Sequence, residues 1–108
     1  MAHEAKLNAV KNLRAYDHCF ISEAGIDSFA RVFGVGPIKS YKVRANPNDM
    51  KGLTLNGGAK TGRGMDAAVL AGTICTLLDI KFMTTSGRGT QLRVCCDALE
   101  AHFSKDHA

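Results

Sequence analysis

Residues 57–64 read Gly57-Gly58-Ala59-Lys60-Thr61-Gly62-Arg63-Gly64 and lead into Met65-Asp66 and an apolar run. Four glycines and two cations stand where a chain leaving a strand would enter a helix. Glycine lets backbone N–H groups turn toward a common point, and a helix N-terminus adds free donors and roughly half a positive charge. That is the chemistry of an anion site. Lys60, Gly62, Arg63 and Gly64 are its expected centre, with Lys42 and Arg44 in support. A β-branched residue at Gly64 is expected to damage binding through the backbone and to leave folding largely intact.

Two nucleotide-binding patterns overlap on this run, and both are incomplete. From Gly57 the spacing follows a Walker A loop, but Arg63 stands where that loop has its phosphate-binding lysine. Gly64 stands where it has the Mg²⁺-binding hydroxyl. From Gly62 the chain fits G-x-G-x-x-A, without the βαβ unit that gives this dinucleotide pattern its meaning. What both share is donors converging on a helix start beside two cations. Asp66 bears on that mechanism in one of two ways. Its carboxylate either occupies the helix N–H groups itself or accepts from a ligand hydroxyl.

No catalytic set accompanies the loop. Ser22, Ser28, Ser40 and Ser86 lie in no elbow, three of the four histidines lie near the chain ends, and carboxylates are not paired at useful spacing. Cys19, Cys75, Cys95 and Cys96 form no C-x-x-C pair and no disulfide framework. Four reduced thiols, no metal, no cofactor and no enzymatic activity are therefore expected. The polar N-terminus Met1-Ala2-His3-Glu4 is not that of a secretory signal, which points to the cytoplasm. The apolar run from Ala67 to Leu78 is too short to span a bilayer.

Charge narrows the partner. The chain of 108 residues carries a net charge of +4. Residues 39–63 hold six cations against Asp49 alone, net +5, and the rest of the chain nets −1. A local excess of this kind suits a phosphate-bearing small molecule or an acidic protein. Nucleic acid is the alternative partner, although Tyr41 is the only aromatic nearby to stack a base. A small protein-interaction module or homo-oligomer is a further alternative.

These residues need elements to position them, and hydrophobic period supplies a set. Leu7, Val10 and Leu13 mark an amphipathic helix in an N-terminal segment, 1–17. An α+β core is expected over 18–103, followed by a polar tail, 104–108. In the core, His18–Ser22 reads as a strand, and a helix capped by Asp27 and closed by Gly34 follows. Ile38–Ala45 and Gly52–Asn56 alternate as strands, and Met65–Leu78 is a buried central helix whose Leu70 and Ile74 face the sheet. Ser86-Gly87-Arg88-Gly89 reads as a hairpin turn between strands Ile80–Thr85 and Thr90–Cys96, putting Cys95 and Cys96 on opposite faces. Asp97-Ala98-Leu99-Glu100 then reads as the capping box of a last helix. The fold class expected is a single α+β domain, a small mostly antiparallel sheet with helices on one face.

From His18 onward this order of elements resembles that of the histidine-containing phosphocarrier proteins of sugar uptake. Gly25-Ile26-Asp27-Ser28-Phe29-Ala30-Arg31 stands where that family has Gly-Leu-His-Ala-Arg-Pro. Asp27 occupies the place of the phosphorylated histidine and the proline is missing, so the resemblance implies a fold and no phosphocarrier activity.

Overall fold

A computed structural model of the chain describes residues 2–17, 19–38, 64–83 and 87–105. Helix α1 (Ala2–Ala15) and strand β1 (Phe20–Ser22) lead to helix α2 (Glu23–Phe33). Strand β2 (Gly64–Asp66) and helices α3 (Ala67–Leu77) and α4 (Arg88–Lys105) follow. The two strands pair antiparallel, Phe20 opposite Asp66, Ile21 opposite Met65 and Ser22 opposite Gly64. The described residues are thus α+β and mostly helical. The strands expected over Ile38–Ala45 and Gly52–Asn56 fall outside them, apart from Ile38, which is buried in irregular chain.

Helix α1 follows its sequence period: Ala9, Val10 and Leu13 are buried, with Glu4 in the first turn and Arg14 in the last, complementing the helix dipole. It runs antiparallel to α4. Lys6 Nζ lies 5.4 Å from the Phe103 ring centroid, and Arg14 reaches Asp97 at 2.8 Å and Glu100 at 2.6 Å.

The second helix starts earlier than its sequence suggested. Ser22 ends β1 and caps α2 at once, its hydroxyl accepting from Gly25 N–H at 3.2 Å. Asp27 is therefore an exposed residue inside the helix, not its cap. Ile26, Phe29, Ala30 and Phe33 are buried at helical spacing. Gly34 closes the helix as expected, at φ 76°, a left-handed conformation that glycine adopts without a Cβ penalty. The N–H groups of Gly34 and Val35 satisfy the Arg31 and Ala30 carbonyls.

Met65 belongs to β2, so α3 begins at Ala67. Every residue from Ala67 to Cys75 is buried, Leu70 and Ile74 fully, as an all-round apolar helix requires. Asp79, at φ 58°, ends the helix, with N–H bonds from Asp79 to Thr76 and from Ile80 to Cys75. Thr73 is buried, and its hydroxyl donates to the Val69 carbonyl at 2.7 Å.

The hairpin expected around Ser86–Gly89 is replaced by α4. Residues 80–83 form no strand, and Arg88–Lys105 is one continuous helix. Thr90–Cys96 does alternate, but Leu92, Cys95, Cys96, Leu99 and Phe103 recur at three- and four-residue intervals and are all buried. The longer period prevails because it buries a whole stripe. Cys95 and Cys96 accordingly sit side by side on a buried helical face, not on opposite faces of a strand. Asp97 and Glu100 lie mid-helix, where one turn of spacing brings both to Arg14.

Aliphatic side chains make most of the core. Through it runs an aromatic row in which Tyr16 meets Phe29 edge-on at 6.0 Å, Phe29 stacks on Phe33 at 6.3 Å, and Phe33 stacks on Phe103 at 5.7 Å. Phe20 stands apart, exposed on β1.

Candidate functional site

Lys42, Arg44, Lys60, Gly62 and Arg63 lie outside the described residues. Gly64 lies inside them, buried at the start of β2. A Cβ added there would overlap the Ile21 carbonyl oxygen and approach Ile21 C to 3.1 Å and Ser22 Cα to 3.2 Å. Glycine at this position is what lets β2 lie against β1. Two residues on, Asp66 is almost fully buried and caps α3, its carboxylate accepting from Ala68 N–H at 2.8 Å. Of the two roles open to Asp66, self-capping is the one the geometry displays.

The second glycine-rich run has a different surround. Gly87 and Gly89 flank the first residue of α4, whose first helical bond runs from Gln91 N–H to the Gly87 carbonyl at 2.8 Å. The amides of residues 88–90 therefore have no acceptor within the helix. A cleft of about 650 Å³ borders this helix start, lined by Gly87, Gly89, Thr90, Leu92 and Arg93 on one side and by Arg14 and Asp17 at the end of α1 on the other. Arg93 is exposed and makes no ion pair among the described residues. Arg14 is held by Asp97 and Glu100, so its guanidinium is fixed in place with part of its surface open to solvent.

Sequence reasoning missed this cleft. The signal available is the repeat of Gly-Arg-Gly at residues 62–64 and 87–89, the second of which also fits a hairpin turn. Nothing in the sequence pairs Arg14 with α4.

A separate polar group lies in the core. The Gln91 side-chain amide donates to Cys95 Sγ at 3.4 Å and to the Met83 carbonyl at 3.3 Å. The Cys75 thiol donates to the Cys95 carbonyl oxygen, Sγ to O 3.7 Å. The neighbouring Cys95 side chain, with burial added, pushes the Cys75 thiol up, while Cys75 and Gln91 draw the Cys95 thiol down against its own burial. Burial pushes the neighbouring Cys96 thiol up to about 12.

These shifts carry a pH dependence with a definite sign. An ordinary thiol ionises near 9.0, so above that pH the unfolded chain releases protons that folded Cys96 and Cys75 retain. Their contribution to stability is complete below about pH 9 and is lost as pH rises toward the folded values. Urea midpoints are expected to fall above pH 9, with each raised thiol contributing about 1.4 kcal/mol per pH unit. Cys96→Ala should flatten the slope. A midpoint flat to about pH 10.5 would contradict the packing of both thiols.

Among the described residues, no group of three His, Cys, Asp or Glu side chains is arranged to hold a metal, and no helix is long and apolar enough to cross a membrane. No protein-family model, curated protein or solved structure matches this chain.

Proposed function

We propose that the protein is a non-catalytic binding protein for a phosphate-bearing small molecule. The observation that carries this reading is the cleft where α1 ends and α4 begins. There Arg14 and Arg93, from two helices, line one cleft with Gly87, Gly89 and Thr90 at the start of an 18-residue helix. An anion there gains from Arg93, whose charge no described carboxylate offsets, and from the positive end of the helix dipole. The volume suits a small ligand better than a polymer groove. Thr90 supplies a hydroxyl and Asp17 a carboxylate at the rim, the groups that orient a phosphorylated sugar or nucleotide beyond its phosphate. The net +5 of residues 39–63 adds long-range attraction for the same ligands. With Asp66 capping α3, the start of α4 is the better receptor of the two helix ends.

Thermal-shift and calorimetric titrations with inorganic phosphate, pyrophosphate and nucleotides test this reading. Stabilisation by one of them is expected, and Arg93→Ala should weaken binding by roughly ten- to a hundredfold, the worth of a charge-assisted hydrogen bond. Arg93 is exposed, so the variant should fold as the parent does. Binding undiminished in Arg93→Ala would move the site to residues 39–63. A short oligonucleotide that binds best, with affinity falling steeply with salt, would favour nucleic acid instead.

A further inference from the structure

Residues 77–83, where α3 ends and the chain turns toward α4, read Leu77-Leu78-Asp79-Ile80-Lys81-Phe82-Met83. Five of these residues are large and apolar, and none of the five is fully buried. Leu78, Ile80 and Phe82 are half-buried and pack against the core, whereas Leu77 is 53% and Met83 72% exposed. Exposure alternates from Ile80 to Met83, so Lys81 and Met83 share the outer side of this stretch. Two hydrogen bonds tie it to the body of the fold. Ile80 N–H donates to the Cys75 carbonyl at 2.8 Å, and the amide of fully buried Gln91 donates to the Met83 carbonyl at 3.3 Å. We propose that this surface is the interface of a homodimer, in which residues 77–83 of one copy meet the same residues of a second copy across a two-fold axis.

Charge selects a second copy as the occupant. Asp79 and Lys81 are both exposed, flank Ile80, and make no ion pair among the described residues. A two-fold contact turns the patch onto itself in reverse order. An axis near Ile80 therefore sets Asp79 of each copy against Lys81 of the other. Helix α3 has no basic residue in its last turn, and Asp79 adds a negative charge just past its end. The Lys81 ammonium of the second copy would meet both that carboxylate and the negative end of the helix dipole. Asp79 and Lys81 cancel, so two copies meet here without the repulsion that a cationic face would bring.

Leu77 and Met83 supply the apolar contact. The methionine side chain adapts to the surface it faces, and methionine is enriched at interfaces. Because Gln91 and the Cys75 carbonyl already hold the chain, docking orders little further backbone. The stretch is short beside the roughly 20–30 residues a side of a standard interface, so a dissociation constant weaker than about 1 µM is expected.

Sedimentation velocity on the full chain measures the dimer between about 5 and 500 µM. The chain carries Cys19→Ser, which removes the one exposed thiol and with it any disulfide between copies. A monomer–dimer equilibrium is expected in that range. Met83→Asp and Lys81→Glu, both at exposed positions, should fold as the parent does and weaken the dimer by at least about tenfold. Asp79→Lys should weaken it likewise, and mixing that chain with Lys81→Glu should restore a dimer with one copy of each, since each offers the charge the other lacks. Asp79 sits at φ 58°, so circular dichroism checks that Asp79→Lys keeps the fold, and Met83→Asp and Lys81→Glu decide without it. A chain that stays monomeric throughout would overturn the proposal. So would a dimer that either Met83→Asp or Lys81→Glu leaves intact. Folded Asp79→Lys that fails to pair with Lys81→Glu would overturn it equally.

Discussion

Gly64→Val is expected to unfold the protein, or to leave it at least about 3 kcal/mol less stable. The obstruction is backbone against backbone. A Cβ at residue 64 falls on the Ile21 carbonyl oxygen, with Ile21 C and Ser22 Cα also within 3.2 Å, and no rotamer change relieves such a contact. The strands must separate instead. Separation would break the β1–β2 ladder and the bond from Ala67 N–H to the Cys19 carbonyl. It would also expose Ile21 and Met65, both fully buried. The whole stability of a small domain is on the order of 5–15 kcal/mol, so a lesion of this size takes a large share. Gly64→Ala should show a smaller loss of the same kind. Urea denaturation followed by circular dichroism measures both, and an unchanged Gly64→Val midpoint would mean that β2 does not lie against β1. The expectation that residue 64 acts only on binding is thereby reversed. Its glycine serves strand approach, whatever residues 60–63 contribute.

What the sequence made legible was local period. Leu7, Val10 and Leu13 gave α1; Phe29 and Phe33 with Gly34 gave α2 and its end; and the unbroken apolar run gave the burial of α3. Each signal lies within one helix, where packing face and sequence spacing are the same thing. The failures share a different cause. Thr90–Cys96 carries a two-residue alternation of its own, and only extending the window to Leu99 and Phe103 shows the helical period that dominates. Asp97 and Glu100 looked like capping residues because Arg14, the cation that engages them, lies on another helix. The contact between Cys75 and Cys95 was hidden for the same reason, being made by the packing of α3 on α4. As for the proposed site, a Gly-Arg-Gly run stands at the start of α4 as it stands before Met65. Where it opens on a cleft was decided by the end of α1, which sequence spacing does not encode.

Phe33→Ala is expected to cost about 3–5 kcal/mol, the largest loss from any truncation in the aromatic row. Phe33 is 1% exposed and lies between two rings, Phe29 at 15° and Phe103 at 20° to its plane. Two things are lost on truncation: the transfer free energy of a buried ring and the stacking on both sides. The space left behind would not close easily. Phe29 is pinned edge-on by Tyr16, and Phe103 is flanked by Lys6 and His102, so neither ring is free to move into the gap. A cavity that persists adds its own cost to the transfer term. The residue beside it supplies the contrast. Val32, on the same helix but 36% exposed, should cost no more than about 0.5 kcal/mol as Val32→Ala. Paired urea denaturations of the two variants measure the difference. A Phe33→Ala loss below about 1.5 kcal/mol would mean that α2 and α4 do not close on each other through this ring.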